Sequence, residues 1–151
     1  MDTEGTDHID IRLSLGETII LNELRRGILA VEGILEAPYC SVLARNLREI
    51  KRLRGNKPLA VHIFSGGGGA YPALYLYDLL RQYATTCAPV ITVACGMAAS
   101  AASMIVLQAG DIRLATASTR IMLHEVREWY RYGVDRALTE AEESQNEMKR
   151  V

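Results

Sequence analysis

The stretch from Val90 to Gly110, VITVACGMAASAASMIVLQAG, constrains the fold of this chain more than any other. It opens on the β-branched run Val90-Ile91-Thr92-Val93, which predicts a buried strand. Gly96 breaks that run, and the small-residue segment Ala98-Ala99-Ser100-Ala101-Ala102 leads into an apolar helical stretch from Met104 to Leu107. Such a pattern requires a sharp turn from strand to helix. A hydroxyl held at that turn lies near the positive end of the helix dipole, and flanking alanines leave room for a substrate backbone. Ser100 is therefore the candidate nucleophile; taken alone, these residues also suit a serine that only caps the helix. The absence of charge between Arg81 and Asp111 raises the question of a membrane span, which needs about 20 apolar residues. Gly96, Ser100, Ser103 and the intervening alanines argue against one, as do the opposed β and α preferences of the two halves.

A chain of 151 residues suits a single domain with one core, and 49% hydrophobic against 23% charged residues is ordinary for a water-soluble protein. A formal net charge of −1 gives no electrostatic case for nucleic acid or an anionic membrane as partner. Cys40, Cys87 and Cys95 form an odd set without CxxC spacing, which predicts buried thiols in a reducing compartment rather than disulfides or a zinc site. The acidic start, MDTEGTDHIDIRL, has no signal-peptide core, so a cytoplasmic location is expected.

Residues 1–20 are polar with little periodicity and read as a flexible arm, with His8 solvated, ahead of a single α/β domain over 21–151. Ile28–Leu35 predicts a strand, and Pro38 starts a helix in which Leu43, Leu47 and Ile50 recur at helical spacing. Arg45, Arg48, Lys51 and Arg52 on its other face read as a solvated cationic surface. A second strand, Leu59–Phe64, holds His62 as a packed histidine and runs into Ser65 and four glycines, Gly66–Gly69. That loop lacks the Lys-Ser/Thr of a P-loop and the frame of a dinucleotide site, so no phosphate cofactor is expected. It offers unobstructed amides, suited to an oxyanion or an extended peptide. A helix over about 72–83 follows, with Tyr71, Tyr75 and Tyr77 expected in the core and groove lining. Beyond Ser100 come a short strand near 112–115, a turn at Ser118-Thr119, and the run Arg120-Ile121-Met122-Leu123-His124, which places a histidine at a strand end. From Asp135 the pattern Leu138, Ala141, Gln145, Met148 reads as an amphipathic helix. The order β-α-β-α-β-α-β-β predicts an α/β fold with successive right-handed crossovers.

Together these segments resemble the proteolytic subunit of the Clp protease family, serine peptidases of the crotonase-like ββα-spiral superfold. Leu29-Ala30-Val31-Glu32-Gly33-Ile34-Leu35 is similar to the family's first strand, and Ile63 through Asp78 to its glycine loop and following helix. Gly96-Met97-Ala98-Ala99-Ser100 is similar to its G-x-A-A-S nucleophile motif, and Ser118 through His124 to its N-S-R-x-M-I-H segment. The resemblance implies Ser100 as nucleophile, His124 as general base, and the amides of Gly68 and Ala101 as the oxyanion hole. It implies that Gly67, Gly68, Gly69 and Tyr71 on one side and Glu125, Val126 and Arg127 on the other bind an extended peptide. It further implies unfolded polypeptide substrates, a heptameric homo-oligomeric ring, and an ATP-driven AAA+ unfoldase as partner, with no metal or cofactor.

The chain also departs from the family pattern. The family's triad aspartate lies well beyond the histidine, past Val151, so the expected domain lacks the family's C-terminal portion and has a shortened handle helix. No motif supports Asp111 or Asp135 as a substitute. Phe64 and Gly66 replace the Asn and Pro of the glycine loop, and Glu125-Val126 replaces the Gln-Pro that follows the histidine. A catalytically weak or inactive subunit serving assembly or partner docking is the alternative expectation, and an acyl-CoA-handling relative of the same superfold a more distant one.

Overall fold

The computed structural model describes residues 14–125. His8, Val126, Arg127, Asp135 and the helix expected beyond it lie outside the described residues.

The first element is a helix, α1 (Leu15–Arg26), in a stretch whose beginning was expected to be an arm. Its start is explained by a capping box. Ser14 Oγ accepts the Glu17 N–H, and the Glu17 carboxylate accepts from the Ser14 backbone. Gly27, left-handed at φ 77, ends it. Then follow β1 (Ile28–Leu35), α2 (Ala37–Arg54), β2 (Leu59–Gly68), α3 (Ala70–Thr86) and β3 (Val90–Ala99). A π-helical turn (Ala102–Val106) and a 3-10 turn (Leu107–Ala109) lead to β4 (Ile112–Ala115) and β5 (Arg120–Met122).

The sheet is parallel throughout, in the order β1-β2-β3-β4, with β5 also paired to β3. Alternate residues of the central strands build the core. Leu29, Val31, Leu59, Val61, Ile63, Val90 and Ala94 are buried against Leu43, Leu47 and Ile50 of α2 and Leu76 and Leu80 of α3. The opposite face is less covered among the described residues. His62 is half-buried there, and no hydrogen bond from its ring is found among the described residues, in place of the expected packed, bonded histidine. Cys40 is buried and Cys87 and Cys95 half-buried, all as free thiols. No helix among the described residues is long and apolar enough to cross a membrane.

Two expectations for the strands are corrected. The glycine run is not a loop: β2 continues to Gly68 because Gly67 and Gly68 pair with Ile34 and Leu35 of β1, and that pairing outweighs glycine's poor strand preference. Likewise β3 does not end at Gly96 but runs on to Ala99. Gly96, at φ 74, sits in a bulge where Cys95, Gly96 and Met97 lie opposite only one residue of β2.

That bulge divides one edge of β3 in two. Ile91–Ala94 pair with β4, and Met97–Ala99 pair with β5. Thr119 holds the division, since its Oγ1 donates to Ala94 O and accepts the Gly96 N–H. Because β3 and β5 are parallel, their carboxyl ends emerge side by side, where ligands collect in open α/β sheets. Ser100 follows one strand and His124 lies two residues beyond the other.

Candidate active site

Ser100 occupies a strained turn. Its φ of 53 is the only positive value at a non-glycine position among the described residues, a conformation that costs an L-residue about 1–2 kcal/mol. Its neighbours hold it there. Ser100 N–H donates to Met122 O at 3.0 Å, and Ser100 O accepts from the amides of Ser103 and Met104 at 3.0 and 2.8 Å. The side chain is thereby aimed at the end of β5.

There it meets the histidine: His124 Nε2 lies 2.7 Å from Ser100 Oγ. The other ring nitrogen, Nδ1, is bonded to the Glu125 carbonyl. A carbonyl oxygen only accepts, so Nδ1 is the donor in that bond, which in a neutral ring leaves Nε2 to accept the serine O–H. This is the tautomer a general base at Nε2 needs. Both residues are accessible, Ser100 half-buried and His124 exposed.

The glycine strand lies against Ser100. A Cβ on Gly67 would fall 2.6 Å from Ser100 Cβ, 2.7 Å from Ala99 O and 3.0 Å from Ala101 N, so a side chain there would fill the space before the Ala101 amide. Ala101 N–H belongs to the first turn after the elbow, where the helix itself supplies no acceptor. Two glycine amides are committed elsewhere. Gly67 N–H donates to Ser65 Oγ at 3.1 Å, and Gly69 N–H to Leu35 O at 2.8 Å. Gly68 ends β2, whose other edge faces away from β1. That edge is open: β2 pairs with β3 only as far as Ser65–Ala98. Ser65 is the buried brace of the arrangement, its hydroxyl donating to Gly33 O at 2.6 Å.

Other expected site residues are placed differently. Tyr71 is in the first turn of α3 and 80% exposed, so it has no strand edge to offer a peptide, and neither it nor the exposed Tyr75 is part of the core. Gly69 is the N-cap of α3. Glu125 is exposed and meets His124 through its carbonyl; its expected companions Val126 and Arg127 are not among the described residues.

Asp111 is removed from the site altogether. Its carboxylate bonds Arg81 Nη1 at 2.7 Å and the Val90 amide at 2.9 Å, at the opening end of β3. Ser100 follows the other end of that strand, on the order of 30 Å away at about 3.3 Å per residue. The Arg81 guanidinium, and then the Val90 amide, hold the Asp111 carboxyl below the usual aspartate range. Among the described residues no carboxylate is bonded to His124, and no cluster of side chains could hold a metal.

Sequence reading did not single out Ser103. It is wholly buried, and its hydroxyl lies within hydrogen-bonding reach of both Ser100 O and Met122 O. A polar residue in an apolar helical turn three positions past the candidate nucleophile was the available signal.

Comparison with known proteins bears on this geometry. The family model for Clp protease matches residues 17–151. The chain is similar to the ATP-dependent Clp protease proteolytic subunit 2 of Treponema denticola, at 30% identity over 94 residues, which are 62% of this chain and 46% of that protein. It thus spans about half the length of the curated relative it matches. The crystal structure of the ClpP protease catalytic domain from Plasmodium falciparum shares the fold, with a TM-score of 0.66 at 21% identity over 79% of this chain and 65% of that one.

Proposed function

The chain belongs to the Clp protease family, and from that premise we propose that it is a serine peptidase subunit acting through Ser100 and His124. The observation that carries the proposal is the 2.7 Å contact between Ser100 Oγ and His124 Nε2 beside the glycine strand. In the first half-reaction Ser100 Oγ attacks the scissile carbonyl while Nε2 takes its proton. The tetrahedral oxyanion is met by the amides of Gly68 and Ala101. Collapse breaks the C–N bond, the imidazolium returns the proton to the leaving amine, and an acyl-serine remains. Water, deprotonated by the same imidazole, then releases the acid and restores the serine. One oxyanion donor of this kind is worth about 3–4 kcal/mol of barrier.

The open edge of β2 past Ser65 and the region of Glu125 suit an extended peptide added as a strand, which reads backbone more than side chains. Unfolded polypeptides are the substrates this implies. The further expectations of a heptameric ring and an AAA+ unfoldase follow from family resemblance. An acyl-CoA-handling role is disfavoured because it gives the Ser100–His124 contact no task.

A fluorophosphonate probe tests the proposal. The purified protein is expected to be labelled at Ser100, located by peptide mass spectrometry, and Ser100→Ala to stay unlabelled. An unlabelled wild-type protein with Ser100 accessible would leave only the assembly or docking role.

A further inference from the structure

We propose that Ser103 is a positioning residue for this site: its buried hydroxyl locks the end of β5 against the nucleophile turn and thereby sets the Ser100–His124 separation. The proposal rests on the peptidase reading and adds to it a residue that touches neither substrate nor the reacting atoms.

Two carbonyls converge on the Ser103 hydroxyl, Ser100 O at 2.9 Å and Met122 O at 2.7 Å. One O–H cannot bond both fully, so it is shared between them, with the shorter contact to Met122. Donation to a carbonyl three residues back is ordinary for a helical serine. The bond across to another element is not, and nothing in the helix requires it. Met122 O is also the acceptor of the Ser100 amide. The nucleophile's own backbone and the Ser103 hydroxyl thus meet on one oxygen, two residues before the proposed base.

The strand they secure has little else to hold it. β5 is three residues long, all of them exposed, and it pairs only with β3 among the described residues. It contributes no residue to the buried core. The side that bonds it, by contrast, is rigid: Ser103 is 0% exposed, and its own carbonyl is held by Gln108 Nε2 at 3.0 Å. The hydroxyl therefore transfers the order of the packed helical turn to a surface strand. Without it, Met122 O keeps one donor, and β5 gains freedom to slide or lift relative to Ser100.

The test compares wild type, Ser103→Ala and Ser103→Cys, the thiol filling the same space as a much weaker donor. Two readouts are taken: the rate of fluorophosphonate labelling at Ser100, and amide hydrogen exchange over residues 118–125 and at Ser100. For Ser103→Ala, labelling is expected to slow about 10- to 100-fold, the scale of a sub-ångström to 1 Å misplacement of reacting groups. Exchange in β5 is expected to rise while β1 and β2 stay protected. Ser103→Cys should fall between the other two, and it decides the matter alone if Ser103→Ala does not fold. Wild-type exchange in β5 of the folded variant overturns the proposal, whether or not labelling slows. So does wild-type labelling with raised exchange, because the strand would then move without consequence for the pair. A wild-type protein that never labels overturns the peptidase reading separately, and exchange then decides whether the hydroxyl secures β5.

Discussion

Replacing Gly67 by alanine should disable the site at a cost in stability. The new Cβ would lie 2.6 Å from Ser100 Cβ, whereas carbon atoms in contact settle at about 3.5–4.0 Å. Relief requires a displacement of about 1 Å, and the movable partner is the Ser100 turn, since Gly67 is anchored through β1 and Ser65. A shift of that size carries the 2.7 Å Oγ–Nε2 contact out of hydrogen-bonding range. The same methyl lies over the Ala101 amide, blocking a proposed oxyanion donor. Either effect costs about 10²–10³-fold in rate. The φ of 98 at Gly67 adds about 1–2 kcal/mol of backbone strain to the cost of the clash with the Ala99 carbonyl, so the thermal midpoint falls as well. The neighbouring Gly66→Ala is the control, because its Cβ would meet nothing closer than Met97 Cε at 3.9 Å and its φ is not in the positive range. The assay is the second-order rate of fluorophosphonate labelling, with a melting curve for each variant. Labelling of folded Gly67→Ala at the wild-type rate would refute the reasoning, as would equal losses in the two variants.

Ser65→Ala should lower the thermal midpoint, because it leaves the buried Gly67 N–H without its acceptor, at about 1–3 kcal/mol. It should also slow labelling through the glycine strand, and an unchanged melting curve would contradict its bracing role. Asp111 gives the pH dependence of stability. Its folded carboxyl titrates below the unfolded-chain value, so its contribution is complete above that value and is lost as pH falls through the lowered one. Asp111→Asn should therefore show a shallower loss of thermal midpoint on acidification than wild type, with Ser100 labelling unaffected; abolished labelling would contradict its place at the far end of β3.

What the sequence determined by itself was local. β-branched runs and alternation marked the starts of β1, β2 and β3, because a residue's tendency to extend or coil depends on its own side chain and near neighbours. The spacing of Leu43, Leu47 and Ile50 marked α2 in the same way, and the abrupt change of residue type around Ser100 marked the elbow. Helix α1 was equally legible, in the Ser14–Glu17 capping box, and went unread. Residues 66–68 and 96–99 were not legible as strand, since glycine and alanine are held extended only by partners distant in sequence: Ile34 and Leu35 for the first, Ser65 and β5 for the second. Tertiary structure alone decided which groups meet. The parallel pairing of β5 with the far half of β3 brings His124 to Ser100, and the length of that same strand puts Asp111 out of reach. Ser103 shows the limit best. Its position three residues beyond the proposed nucleophile can be read from the chain, but its second acceptor, Met122 O, is a backbone atom with no signature in residue identity.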